Sequence, residues 1–126
     1  MIGEDPRDCP FCALIAAGKV DMISEHAAAF PDQAPVSPGH TLIVARRHVA
    51  SWFDLSTTEQ SVILELANAV QARLERSLRP AGFNLGVNAG PAAGQRIAHA
   101  HLHLVPRYDD DHIAPPWERG AGPSQD

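Results

Sequence analysis

The apolar residues between positions 57 and 79 recur every three or four residues. This spacing puts them on one face of an amphipathic helix. Ser56, with Glu59 three residues later, fits a capping box at the start, and Pro80 ends the pattern. The apolar positions are Ile63, Leu66, Ala67, Val70, Leu74 and Leu78. The pattern therefore predicts a helix over about residues 57–79, long enough to cover one face of a sheet.

Shorter segments predict the strands of that sheet. Residues 41–45 are β-branched and almost entirely apolar, as in an interior strand. A short helix over residues 10–17 is expected between Pro10 and Gly18. The chain should thus form an α+β domain with an antiparallel sheet, one long helix and one short N-terminal helix. The five predicted strands lie near residues 21–25, 26–31, 41–45, 83–88 and 99–106.

The composition is that of a single globular domain, with 44% hydrophobic and 20% charged residues in a chain of 126. We expect this domain over residues 1–108 and a tail over residues 109–126, which is acidic and then rich in proline and glycine. No segment reaches the ~18 apolar residues of a membrane span, and residues 1–5 lack the basic flank and the apolar segment of a signal peptide. A cytoplasmic protein without a membrane partner is expected.

The formal net charge of -5 argues against binding of a nucleic acid polymer, which needs a basic surface. A small phosphorylated ligand is still compatible with this charge, because a few backbone N–H groups suffice to bind one or two phosphates.

Three histidines alternate along the last predicted strand. His99, His101 and His103 would share one face of it, while the small and apolar residues between them pack under the long helix. An ordinary polar face would mix residue types, so this row indicates a functional site. Two chemistries fit. One is a metal site completed by His40, His48 or Asp32, and the other is a nucleophilic site in which a ring nitrogen attacks phosphorus.

The segment before this strand favours the second chemistry. Gly90 and Gly94 bound a loop that could direct backbone N–H groups at a phosphate. Beside three aligned imidazoles, such a loop predicts a phosphate pocket with a nucleophile at its edge.

Cys9 and Cys12 form a C-x-x-C pair. In a reducing compartment, this spacing indicates metal binding or redox chemistry before a disulfide. A redox pair would follow a buried strand, whereas a polar segment, residues 3–8, precedes Cys9. The open alternatives are a zinc site with two further ligands and two buried thiols.

The pattern H-φ-H-φ-H-φ-φ at residues 99–105, with φ apolar, resembles the signature of the histidine triad (HIT) superfamily. The resemblance covers about residues 8–108 and implies a HIT-like fold, a homodimer that joins two sheets, and a purine nucleotide as partner. It also implies cleavage of a nucleoside monophosphate from a phosphoramidate or dinucleoside polyphosphate through a nucleotidyl-histidine intermediate. Other matching segments are residues 9–12, 30–32, 38–44, 47–48, 88–90, 94–95 and 106–107.

Residue roles follow from the resemblance. His101 would be the nucleophile and His103 a phosphate contact, and the carbonyl of His99 would hold the second ring nitrogen of His101. The implied nucleotide-binding residues, beside these histidines, are Phe11 and Phe30 at the base, Asp32 at the ribose, and Asn88, Gly94, Gln95 and Arg96 around the phosphates. The superfamily commonly has Ser or Thr where this chain has Arg96, which leaves the preferred leaving group open.

The resemblance also implies a structural zinc ion. In some bacterial members the histidine at the position of His48 and the first triad histidine complete a site, so the implied ligands are Cys9, Cys12, His48 and His99. Catalysis would require no metal. Two further hypotheses for the protein are a nucleotide sensor with little turnover and a histidine-metal hydrolase.

Overall fold

The computed structural model describes residues 1–111, so residues 112–126 of the predicted tail lie outside it. The predicted α+β architecture is confirmed, with two α-helices and one five-stranded sheet. None of the described helices is long and apolar enough to span a membrane. The helices are α1 (Pro10–Ala16) and α2 (Thr57–Leu78), and the strands are β1 (Met22–Ile23), β2 (Ala27–Pro31), β3 (Thr41–Ala45), β4 (Gly82–Gly86) and β5 (His101–Arg107).

The sheet has the order β1-β2-β3-β5-β4, and every neighbouring pair is antiparallel. β3 is therefore the central strand, which explains its almost entirely apolar sequence. In the register between β3 and β5, Val44 lies opposite His101 and Leu42 lies opposite His103.

Several strand boundaries were predicted wrongly. β1 ends at Ile23, two residues before the predicted end. β5 begins at His101 rather than at residue 99, because the N–H of His99 bonds to the carbonyl of Ile97 in a turn and the N–H of Ala100 bonds to Val49. β4 ends at Gly86, two residues before the predicted end. Alternation along a strand cannot show where the ladder of hydrogen bonds stops.

The long helix covers one face of the sheet, as predicted. Ile63 and Val70 on α2 are fully buried against Ile43 and Leu102. Burial of each large aliphatic side chain stabilises the fold by about 2 kcal/mol. The opposite face holds a second apolar cluster, in which Phe11 of α1 packs with residues of β2 and β3. All three triad histidines lie on this second side, away from α2: the Phe11 ring contacts His99 and His101, and the ring of His103 lies beside that of His101.

The capping box at the start of α2 is present. The Ser56 hydroxyl accepts a hydrogen bond from the N–H of Glu59 at 3.0 Å, and the Ser56 N–H donates to the Glu59 carboxylate at 2.9 Å. Arg47 donates two further hydrogen bonds to this carboxylate, at 2.8 and 3.0 Å. These bonds lower the pKa of Glu59 from 4.5 to about 2. The helix start is therefore tied to the segment that follows β3.

Candidate active site and metal cluster

His101 begins β5 and is nearly fully buried. Its Nδ1 lies 2.7 Å from the carbonyl oxygen of His99. Because a carbonyl can only accept, Nδ1 carries the proton and Nε2 is the nitrogen of the neutral ring that has the electron pair. The Phe11 ring meets His101 edge to face, with the ring centroids 5.1 Å apart. The structure thus has the brace between His99 and His101 that the resemblance implied.

His103 lies two residues further along β5, with its ring centroid 5.0 Å from that of His101. Nδ1 of His103 is 2.9 Å from Nε2 of His40, the buried histidine that precedes β3. Nε2 of His40 is also 3.4 Å from a carboxylate oxygen of Asp32. The sequence left the role of His40 open, since nothing along the chain shows that it meets β5.

A cavity of about 240 Å³ opens beside these histidines. Its apolar side includes the rings of Phe11 and Phe30, whose centroids are 5.3 Å apart. A cavity with an apolar side and a few convergent polar groups is typical of a small-ligand site. Six of the predicted nucleotide-binding residues line it, namely Phe11, Phe30, Asp32, Arg96, His101 and His103.

The other three predicted residues, Asn88, Gly94 and Gln95, do not line this cavity. Gln95 is buried, and its side-chain amide bonds only to backbone: the oxygen accepts from Gly90 at 2.8 Å, and the nitrogen donates to the carbonyls of Ala50 and Ile97 at 2.7 and 2.8 Å. The Gln95 side chain therefore holds the glycine loop to the backbone at Ala50 and Ile97. Contacts of these three residues with a nucleotide stay a prediction.

The four residues implied as zinc ligands come together in space. Their ligand atoms lie within 4.8 Å of one another. Nδ1 of His99 is 3.3 Å from Sγ of Cys9 and 3.6 Å from Sγ of Cys12, and Nδ1 of His48 is 3.4 Å from Sγ of Cys12. Standard zinc bond lengths in a tetrahedron give a sulfur–nitrogen separation of about 3.6 Å. The spacing of the cluster therefore fits a zinc ion.

The hydrogen bonds of the two histidines fit a metal as well. Nε2 of His99 is 2.6 Å from the carbonyl of Ala45, and Nε2 of His48 is 3.2 Å from the carbonyl of Glu4. Each carbonyl holds the proton on Nε2, which leaves an electron pair on the Nδ1 that faces the thiols. Burial lowers the pKa of His99 to about 4, so this ring is neutral at pH 7. Burial likewise raises the pKa of Cys12 to about 11.

Asp32, His40 and His103 form a second compact group. In this group, Nδ1 of His40 accepts a hydrogen bond from the N–H of Val36 at 3.1 Å. The proton of the neutral ring therefore sits on Nε2, the atom that a metal would need. This group is arranged for hydrogen bonding. Within residues 1–111, each of the two groups that could hold a metal ion contains one triad histidine, and neither combines two of them.

The comparisons with known proteins agree with the histidine pattern. A family model described as HIT domain matches residues 18–110. A HIT family protein from Bacillus anthracis is 34% identical, with a TM-score of 0.79 over 90% of this chain and 83% of the other. A Zn-bound histidine triad family protein from Mycobacterium smegmatis is 25% identical, with a TM-score of 0.80 over 87% and 82%.

Some of the relatives have a named enzyme activity. The asymmetrical bis(5'-nucleosyl)-tetraphosphatase of Schizosaccharomyces pombe is 29% identical over 106 residues, which span 84% of this chain and 58% of the relative. With the family model covering most of the chain, the fold and the histidine pattern lead to one assignment. The chain belongs to the HIT family of nucleotide-binding hydrolases and transferases.

Proposed function

We propose that the protein cleaves purine nucleotides by transferring the nucleoside monophosphate to His101 and then to water. The observation that supports this most is the hydrogen bond from His101 Nδ1 to the His99 carbonyl, which leaves the electron pair on Nε2 of a residue that lines the cavity. A neutral imidazole held in one tautomer is a competent nucleophile at neutral pH.

The reaction has two balanced steps. Nε2 of His101 attacks the α-phosphorus and forms a nitrogen–phosphorus bond, while the bond from phosphorus to the leaving group breaks. The leaving group keeps the electron pair of that bond and takes up a proton from solvent. Water then attacks the same phosphorus and gives up a proton to solvent, the nitrogen–phosphorus bond breaks with its electron pair returning to Nε2, and the nucleoside monophosphate departs. The N–H of His103 and the guanidinium of Arg96 are the donors that stabilise charge on the phosphoryl oxygens. Both line the cavity.

The remaining cavity residues suit the nucleoside. Phe11 and Phe30 present aromatic rings to a base. One carboxylate oxygen of Asp32 accepts a hydrogen bond from the N–H of Ala34 at 2.9 Å, and the second oxygen lies 3.4 Å from Nε2 of His40. A carboxylate fixed in this way accepts hydrogen bonds from the vicinal hydroxyls of a ribose.

The test compares wild type with His101→Ala on an adenosine phosphoramidate and on diadenosine tetraphosphate. We expect turnover of at least one substrate by wild type and a loss of about 10⁴-fold or more in the variant. His26→Ala, at the turn between β1 and β2, is the control and should keep full activity. Tight nucleotide binding without turnover in wild type would support the sensor hypothesis instead. Activity that a chelator abolishes at once, while the fold persists, would favour a metal hydrolase.

We also propose that Cys9, Cys12, His48 and His99 hold a structural zinc ion. Bound zinc would supply a crosslink, because its ligands come from the start of α1, from the segment after β3 and from a residue two positions before β5. Four protein ligands leave no position for substrate. Protein purified without chelator should contain about one zinc per chain, and Cys12→Ser should lose it and unfold at a lower temperature. A metal content near zero in wild type would contradict the proposal.

The homodimer and the domain division also remain proposals. β4 is an edge strand with Leu85 49% exposed, which suits pairing with the sheet of a second copy. Sedimentation should give twice the mass of the chain, and Leu85→Lys should give the monomer.

A chain ending at residue 108 should fold on its own if residues 109–126 form a tail.

A further inference from the structure

His40 takes no part in the two proposed reaction steps, yet it is fully buried beside Asp32 and His103, which line the cavity. Its Nδ1 accepts a hydrogen bond from the backbone N–H of Val36 at 3.1 Å. A backbone amide can only donate, so Nδ1 of the neutral ring has no proton and Nε2 carries it. The main chain before β3 thus sets the tautomer of His40.

The same reasoning extends to the next ring. Nε2 of His40 is 2.9 Å from Nδ1 of His103, and 3.4 Å from Asp32. The N–H of His40 can donate to Nδ1 of His103 only if this nitrogen has an electron pair. Neutral His103 therefore carries its proton on Nε2. The backbone amide of Val36 fixes two imidazoles in succession.

The two histidines on β5 are held in opposite tautomers. His101 has its proton on Nδ1 and an electron pair on Nε2, because Nδ1 faces the His99 carbonyl. His103, whose ring centroid is 5.0 Å away, has its proton on Nε2. His101 therefore presents a nucleophilic nitrogen, and His103 presents an N–H donor. Attack on a phosphoryl group uses both, because the donor stabilises the charge that develops on the phosphoryl oxygens.

We propose that His40 is a positioning residue that fixes His103 as the Nε2–H tautomer, so that His103 donates a hydrogen bond to the phosphoryl group attacked by His101. This inference rests on the proposed function for its effect on rate. The tautomer itself does not depend on any activity, so it can be tested separately.

The first experiment is ¹⁵N NMR of the histidine rings of the wild-type protein at pH 7.5. We expect Nε2 of His103 to bear the proton and Nδ1 to resonate far downfield, as a nitrogen without a proton does. A proton on Nδ1 of His103 would overturn the proposal, whatever the enzyme assays give. If the spectrum is as expected but no nucleotide substrate is turned over, the proposed function fails while the tautomer assignment stands.

The second experiment compares two substitutions of the same histidine. His40→Gln keeps an N–H close to the position of Nε2, whereas His40→Asn is too short to reach His103. We expect kcat to fall by about 10²-fold in His40→Asn with KM changed by less than about threefold, and to stay within about tenfold of wild type in His40→Gln. His26→Gln should have no effect. Equal loss of kcat in the two His40 variants, when both are folded, would indicate a packing role and overturn the inference.

Discussion

The carboxylate of Glu59 offers a quantitative test of how the start of α2 is held. It accepts hydrogen bonds from Arg47 and from the Ser56 N–H, and it is 5% exposed. Lowering its pKa from 4.5 to about 2 corresponds to about 3 kcal/mol if the whole change arises on folding. The Arg47 side chain is 58% exposed, so solvent screening reduces this to about 1–2 kcal/mol.

Glu59→Gln removes the charge and keeps an oxygen for the Ser56 N–H. Because the folded pKa lies below the unfolded one, the ionised carboxylate stabilises the fold above about pH 4.5, and this contribution is lost as the pH falls toward 2. We therefore expect the variant to be less stable by about 1–2 kcal/mol at pH 7 and the difference to shrink between pH 4.5 and 2. Urea unfolding at several pH values measures this, since any effect of acid on the cysteine–histidine cluster is common to both proteins.

Asp21→Asn is the matched control. Asp21 forms an ion pair with Arg73 of α2, but the two charged groups are 3.7 Å apart and the Asp21 side chain is 44% exposed. Exposed pairs of this kind contribute little, so the midpoint of unfolding should not move measurably. The reasoning would be refuted by a difference between wild type and Glu59→Gln that is the same at pH 7 and pH 3, or by an effect of Asp21→Asn as large as that of Glu59→Gln.

Three further substitutions test other parts of the structure. Gly39→Ala should cost about 2–3 kcal/mol in thermal unfolding, because φ is 92° and the added Cβ would lie 2.8 Å from Cδ1 of Leu78; a stability equal to wild type would contradict this. Gln95→Leu removes the partners of the Gly90 N–H and of two carbonyls, so we expect a loss of about 2–4 kcal/mol and faster amide exchange at Gly90. Arg96→Ser should lower kcat/KM for diadenosine tetraphosphate more than for an adenosine phosphoramidate, since the lost guanidinium has more phosphate charge to meet in the first substrate; an equal loss on both would argue against a contact beyond the α-phosphate.

The sequence predicted the elements well because each has a local signal. The capping box at Ser56 and the apolar spacing defined α2, and the family resemblance placed Cys9 and Cys12 with two distant histidines. The role of His40 could not be predicted, because its partner is 63 positions away and the contact depends on the register between β3 and β5. The same limit applies to Gln95, whose hydrogen bond to the carbonyl of Ala50 joins residues 45 positions apart and forms only in the folded chain.

Backbone groups, rather than side chains, set the tautomers of four histidines. His48, His99 and His101 face the carbonyls of Glu4, Ala45 and His99, and His40 faces the amide of Val36. Every amino acid supplies these carbonyls, and every one except proline supplies the amide. The proton pattern of both sites is therefore encoded by the path of the chain, and it can persist through evolutionary change of the side chains at positions 4, 36 and 45. Proline at position 36 is the exception. Because proline has no N–H, it would remove the hydrogen bond to Nδ1 of His40 without changing any side chain of the two sites.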